Sequence, residues 1–111
     1  MISKSTAEHY AWDDGCDGWH LVRSAQLSVI HERMPPSAME VRHLHRSTRQ
    51  FFFVLDGVLT VELPHVHEIL RAHEGIEVPP GTPHKVVNAS NIPAEFLVVS
   101  QPPSHNDRVQ Q

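Results

Sequence analysis

Nine prolines and five glycines interrupt this chain of 111 residues so often that long helices have little room. No window of ten residues carries an apolar stripe with the 3.6-residue period of a helix. Short apolar or alternating runs recur instead, separated by turn-forming pairs such as Asp56-Gly57 and Pro80-Gly81. The pattern predicts an all-β fold, an antiparallel sandwich or barrel. The runs cover residues 19–23, 26–34, 39–45, 50–55, 58–63, 67–72, 76–79, 84–89 and 95–100.

The length of the chain fits one domain. We expect residues 1–18 to form an irregular N-terminal arm, held down by the aromatic side chains of Tyr10 and Trp12. Residues 19–101 contain all of the predicted strands and form the barrel. Residues 102–111 are polar, and we expect this C-terminal tail to lie on the surface or to fray.

Three histidines and one carboxamide have the spacing of a metal site. Side chains alternate across a strand, so His43 and His45 point to the same face. Gln50 begins the next predicted strand, and His84 begins a later one. Imidazole is the commonest protein ligand of transition metals, and a closed barrel can bring all four groups into one cavity. We therefore predict one divalent metal ion.

These residues resemble the two sequence motifs of the cupin family. The resemblance implies a small single-domain cupin with a double-stranded β-helix, or jelly-roll, barrel, and the metal ligands His43, His45, Gln50 and His84. Two motif glycines are replaced, by Ser37 and His73, which predicts altered turns but the same ligands. The matching positions are His43-Leu44-His45, Gln50 in place of the usual Glu, Gly57, Pro79-Pro80-Gly81, His84 and Asn88.

Gln50 changes the chemistry that the resemblance implies. Three imidazoles and an amide are all neutral, so a bound ion keeps its full charge, acts as a stronger Lewis acid and favours anionic ligands. In the alternative, Gln50 only makes a hydrogen bond inside the barrel and water takes its place on the metal. The ligand types allow zinc, nickel, iron(II), cobalt or manganese.

Strand alternation from the ligands predicts the rest of the pocket. The wall is predicted to be apolar and to lack a carboxylate or lysine that could serve as a general base. His31 and Arg33 share one parity, which places them at the mouth of the barrel if that face points inward. The predicted lining residues are Phe52, Val54, Val86, Asn88, Phe96, Val98 and Ser100.

Three functions follow from such a site. The first is a metal-dependent enzyme acting on a small, anionic organic molecule, an isomerase or lyase. The ligand set is similar to that of the uronate ring-opening family and of sugar-phosphate isomerases, but Val98 and Ser104 stand where the ring-opening family has an Asp and an Arg. The second is a non-catalytic module that binds or senses a small ligand. A cupin dioxygenase is an alternative form of the enzyme, and the third function is a purely structural metal barrel.

Composition limits the partners. The formal net charge of −4 argues against nucleic acid, and no run approaches the 18 apolar residues of a membrane span. A single cysteine, Cys16, indicates a reducing compartment, so we predict a cytoplasmic location. Phe51, Phe53 and Leu55 face away from the predicted cavity, and we expect a second copy of the chain to cover them in a homodimer. We set aside as ligands the remaining histidines that lack a partner pattern, His9, His20, His65, His67 and His105.

Overall fold

The fold is built from antiparallel β-strands. The computed structural model describes residues 1–104 and 107–111, so His105 lies outside the described residues. None of the described residues forms a helix of the length and apolarity that crossing a membrane requires. The strands are β1 (Glu8–Trp12), β2 (Cys16–Arg23), β3 (Ser28–Met34), β4 (His43–His45), β5 (Arg49–Asp56), β6 (Leu59–Glu62), β7 (His67–Leu70), β8 (Gly75–Val78), β9 (Lys85–Val87), β10 (Ala94–Gln101) and β11 (Arg108–Gln110).

The strands form one large sheet and two small ones. The large sheet has the order β1-β2-β3-β10-β5-β8, and the small ones have the orders β7-β6-β9 and β11-β4. Single antiparallel bridges pair Met39 with Val87 and His43 with His84, and so connect the segment around β4 to the segment around β9. Every recorded strand pair is antiparallel, which confirms the all-β prediction.

The N-terminal segment differs from the expected irregular arm. Strand β1 pairs with β2 from Glu8 opposite His20 to Trp12 opposite Cys16 and forms the edge of the large sheet. The Trp12 ring packs against the core, and its Nε1–H donates to the Asp17 carbonyl oxygen at 3.1 Å. This short strand was missed because only Tyr10 and Trp12 mark its inner face, too few residues for a periodic signal.

The core fills the space between the sheets with the inward side chains of alternating strands. Gln50, Phe52 and Val54 of β5 are buried, whereas Phe51 is 40% exposed. On β10, Phe96, Val98 and Ser100 are buried in the same alternation. The core therefore follows the period of two that a half-buried strand requires.

The turns at Ser37 and His73 keep the conformation that glycine favours. Their φ angles are 69° and 68°, in the left-handed region. Each of the two residues therefore holds a backbone conformation that glycine adopts without strain. Serine and histidine adopt this conformation at an energetic cost of about 1–2 kcal/mol, which the surrounding hydrogen bonds and packing must offset.

Candidate metal centre

Three buried histidines converge inside the fold. His43, His45 and His84 are 3%, 5% and 1% exposed, and one potential ligand nitrogen from each lies within 4.8 Å of the other two. The backbone fixes two of them directly. The His43 N–H donates to the His84 carbonyl oxygen at 3.0 Å, and the His84 N–H donates back to that of His43 at 2.8 Å. The three rings that the sequence singled out therefore meet at one point.

Each ring has a hydrogen-bond acceptor at Nδ1. Nδ1 of His43 lies 2.8 Å from the Val41 carbonyl oxygen, and Nδ1 of His84 lies 2.8 Å from that of Thr82. Nδ1 of His45 lies 2.9 Å from the Asp107 carboxylate. With the proton held at Nδ1, the Nε2 atom of each ring carries a free lone pair. This is the arrangement that orients imidazoles as metal ligands.

The rings are neutral at physiological pH. Burial lowers the pKa of His43 to about 4, and it also lowers the pKa values of His45 and His84. Metal ions bind the unprotonated imidazole, so protons compete poorly at this site above acidic pH. The donor set of three neutral nitrogens therefore fits a divalent transition metal.

Gln50 lies against the same rings. Its side chain is 6% exposed, and its Nε2–H donates to Ser100 Oγ at 3.0 Å. That hydrogen bond leaves Oε1 directed at His84 Nε2, 3.2 Å away. If His84 carries its proton on Nδ1, both of these atoms are acceptors, and two acceptors this close need a proton or a cation near both of them.

Asp107 supports the centre from the polar C-terminal tail, for which the sequence analysis predicted no site residue. Besides His45, its carboxylate accepts the backbone N–H groups of Ser47 and Thr48, each at 2.9 Å. Burial raises the pKa of Asp107, but these hydrogen bonds outweigh burial and hold it below its ordinary value. Strand β11 follows directly and pairs with β4, which carries His43 and His45. Residues 108–110 of the tail, which was expected to lie on the surface or to fray, thus form a surface strand beside the strand that carries the histidines.

A cavity of about 410 Å³ opens beside the histidines. Its wall contains two carboxylates, so the prediction of a wall without a general base is wrong. Burial raises the pKa of Glu32 to about 7 and that of Glu40 to about 8. The residues around the cavity are Tyr10, His20, Ile30, Glu32, Glu40, His43, His45, Gln50, Phe52, Val98, Ser100, Ser104 and Arg108.

The predicted pocket residues divide into two groups. Phe52, Val98 and Ser100 line the cavity. The other predicted residues are buried but lie outside this lining: Val54, Val86 and Phe96 belong to the hydrophobic core. Asn88 binds backbone instead, since its Nδ2–H group donates to the carbonyl oxygens of Met34 at 3.0 Å and Ile92 at 2.8 Å.

Strand β3 turns the face that carries His31 and Arg33 away from the cavity, so these two residues do not reach its mouth. Ile30 and Glu32 line the cavity, so His31 and Arg33 lie on the outer face. There His31 Nε2 lies 2.7 Å from Glu95 Oε1.

Most of the histidines set aside as ligands lie on the surface, and one does not. His9, His65 and His67 are exposed. His20, however, lines the cavity, and its Nδ1 is buried without a hydrogen-bond partner among the described residues. Its position was missed because β2 shows no regular alternation, and its pairing with β3 shifts register just after His20.

Comparison with known proteins identifies the family. The model of the Cupin domain matches residues 30–100, more than half of the chain, so the chain belongs to the cupin family. An uncharacterized protein of Methanocaldococcus jannaschii, MJ1618, is 27% identical over 89 residues, which cover 79% of this chain and 71% of that protein.

Solved structures show the same double-stranded β-helix. The structure of KdgF from Halomonas sp. has a TM-score of 0.86 at 16% identity and covers 96% of both chains. A sugar phosphate isomerase of the cupin superfamily from Silicibacter pomeroyi has a TM-score of 0.80 at 24% identity, covering 91% of this chain and 74% of its own. At these identities the similarity is one of fold, and it confirms the predicted fold class.

Proposed function

We propose that this cupin holds one divalent transition-metal ion through His43, His45, His84 and Gln50, and that it acts on a small anionic organic molecule in the adjoining cavity. The observation that carries the proposal is the pair of facing acceptors, His84 Nε2 and Gln50 Oε1, 3.2 Å apart. When two ligand atoms each lie about 2.1 Å from the same ion and the angle between them at the ion is about 90°, the two atoms lie roughly 3 Å apart.

The charge of the site supports an anionic substrate. All four proposed ligands are neutral, so an ion bound there keeps its two positive charges. Arg108 adds a further positive charge at the cavity wall. A small carboxylate would offset both. When bound, the ion would supply Lewis-acid polarisation of a substrate oxygen.

An enzyme of the isomerase or lyase kind accounts for more of the cavity than a binding module does. A module that only binds an anion has no need of proton-exchanging groups in the wall of its cavity. Glu32 and Glu40 nevertheless line the cavity. Groups that exchange protons near neutral pH are typical of acid–base catalysis. The two carboxylates therefore favour the enzyme over the sensor.

Replacing Gln50 with glutamate tests the charge argument. We expect Gln50→Glu to retain Zn²⁺ and to weaken the binding of lactate to the Zn²⁺-loaded protein about tenfold, because an added negative charge a few ångströms away opposes the anion. Isothermal titration calorimetry with lactate, and with neutral lactamide as the reference ligand, measures this. The matched control is Gln26→Glu, which adds the same charge at an exposed position.

Two outcomes contradict the proposal. One is a wild-type protein, stripped with chelator, that binds neither Zn²⁺ nor Ni²⁺ in the titration. The other is equal affinity for lactate and lactamide in the Zn²⁺-loaded protein, since this would remove the preference for anions.

A homodimer remains our proposal for the outer face of the large sheet. Phe51 is 40% exposed and stacks on Phe53 with 6.1 Å between ring centroids. We expect light scattering after size exclusion to give twice the monomer mass, and Phe51→Lys to give the monomer mass. Ile69→Lys, at an exposed position on β7, is the control that should leave the dimer intact. A monomeric wild-type protein at micromolar concentration would exclude the dimer.

A further inference from the structure

Glu32 reaches the cavity through a specific arrangement of three strands. It lies on β3, opposite Gly18 of β2, and Gly18 in turn lies opposite Tyr10 of β1. A Cβ atom on Gly18 would come within 3.0 Å of the Tyr10 ring. The absence of a side chain at Gly18 therefore allows the Tyr10 ring to cross β2, and its hydroxyl donates to Glu32 Oε2 at 3.0 Å.

The second oxygen of Glu32 is available to a substrate. Oε2 accepts the hydrogen bond of the Tyr10 hydroxyl, whereas Oε1 accepts no hydrogen bond from the described residues. Glu40 is different, because its Oε1 accepts the backbone N–H of Val86 at 3.0 Å and lies 3.9 Å from His43 Nδ1. Glu40 is thus held by a backbone hydrogen bond, and Glu32 is the carboxylate with an oxygen free to exchange a proton.

Resting on the proposed function, we infer that Glu32 is the proton-transferring catalytic residue of the cavity, that Tyr10 is its positioning residue, and that the substrate class is a small 2-oxo carboxylate that is enolised there. Such a molecule matches the cavity, because its carboxylate suits the positive charge of Arg108 and its carbonyl oxygen is a group that a Lewis acid polarises.

The proposed step balances without a further reactant. The Glu32 carboxylate takes a proton from the carbon next to the carbonyl group, so the C–H bond breaks and an O–H bond forms on Glu32. The electron pair of the C–H bond forms the C=C bond of the enolate, and the C=O π pair moves onto the carbonyl oxygen. Return of the proton to the same carbon reverses these changes. In a substrate with a hydroxyl group on that carbon, return of the proton to the former carbonyl carbon, with transfer of the hydroxyl proton to the former carbonyl oxygen, completes an isomerisation.

The charged and titratable groups around Glu32 fit this role. Burial raises the pKa of Glu32 to about 7, while the Tyr10 hydrogen bond and the Arg108 charge act in the opposite direction. Glu40 and the buried Cys16 thiol also interact with Glu32. A general base works best when its pKa lies near the operating pH.

Deuterium exchange tests the inference with pyruvate as the probe. In D₂O, the Zn²⁺-loaded protein should exchange the methyl protons of pyruvate faster than free Zn²⁺ or buffer does, as followed by proton NMR. Glu32→Gln should lose about 100-fold or more of this rate while Zn²⁺ affinity stays within about twofold. Glu68→Gln, the same change on β7, is the control that should leave the rate unaltered.

Tyr10→Phe separates positioning from chemistry. It removes only the hydroxyl that donates to Glu32, so the pKa of Glu32 should rise, and the exchange rate should reach its plateau at higher pH than in the wild type. Carbon NMR of the metal-free protein with labelled glutamate gives an independent measurement. In the wild type, the Glu32 carboxyl signal should titrate with a pKa of about 7. The same signal should titrate at higher pH in Tyr10→Phe and should be absent from Glu32→Gln.

Each possible failure has a distinct meaning. Wild-type exchange rates in a folded Glu32→Gln variant overturn the inference, and so does a wild-type protein that binds Zn²⁺ and lactate but does not accelerate exchange. In both cases the proposed function stands. A wild-type protein that does not bind Zn²⁺ overturns the proposed function and this inference with it.

Discussion

Replacing His45 with alanine is expected to lower the affinity for Zn²⁺ by at least about 100-fold, because loss of a direct ligand should exceed the 10- to 100-fold effect of losing a group that only orients one. The His45 ring supplies one of the three converging nitrogens and is 5% exposed. Its removal also leaves the Asp107 carboxylate without its imidazole partner. Competition titration against a chelator of known affinity measures the change.

The control for His45→Ala is His67→Ala. His67 belongs to a second His-x-His pair in this sequence, but it is exposed on β7 and is not one of the three converging histidines. We expect this variant to bind Zn²⁺ like the wild type. Equal losses in both variants, or no loss in a folded His45→Ala protein, would show that the three buried rings do not form the site.

Gly57→Ala is expected to destabilise the protein by about 3 kcal/mol or more. Gly57 has a φ angle of 82°, and a Cβ atom there would lie less than 3.0 Å from the Pro93 carbonyl oxygen. The left-handed conformation alone costs roughly 1–2 kcal/mol for a residue with a Cβ, and the backbone must also shift to relieve the clash. Urea unfolding of the metal-free protein measures the free energy of unfolding.

Gly81→Ala isolates the conformational part of that cost. Gly81 has a φ angle of 79°, but a Cβ atom at this position meets no atom of the described residues within 4 Å. We expect a loss of about 1–2 kcal/mol, clearly smaller than for Gly57→Ala. If the two variants lose the same stability, the close approach of Pro93 to Gly57 is not what excludes a side chain there.

Alternation and turn residues were enough to predict most of this fold. Residues 50–55 form an apolar run that starts at Gln50 and ends before the turn-forming pair Asp56-Gly57, and β5 buries Gln50, Phe52 and Val54 on one face as a strand should. Strand β1 carried no comparable signal. Its pairing depends on a long-range match with β2, and local patterns contain no information about that match.

The three histidines were predictable because their spacing lies within motifs, whereas the carboxylates were not. Glu32 lies in a strand that reads Ser-Val-Ile-His-Glu-Arg-Met, in which neither face is plainly apolar. The sequence therefore did not decide which face of β3 points inward. A shift of one residue replaces an inward Glu32 with inward His31 and Arg33. A buried carboxylate also runs against the usual cost of desolvating charge, so the predicted apolar wall did not include Glu32.

Asp107 lay beyond sequence reasoning for a different reason. It is separated from its partner His45 by more than half of the chain. Nothing local distinguishes it from any other acidic residue near a polar terminus. Only the pairing of β11 with β4 brings it beside the ring.

The antiparallel bridge between His43 and His84 has a consequence for how quickly an ion can be exchanged. Two of the rings are tied to one rung of backbone hydrogen bonds, and the third is braced by a carboxylate, so contacts within the polypeptide hold the three rings together. We therefore expect binding and release of an ion at the proposed site to require little rearrangement of the backbone.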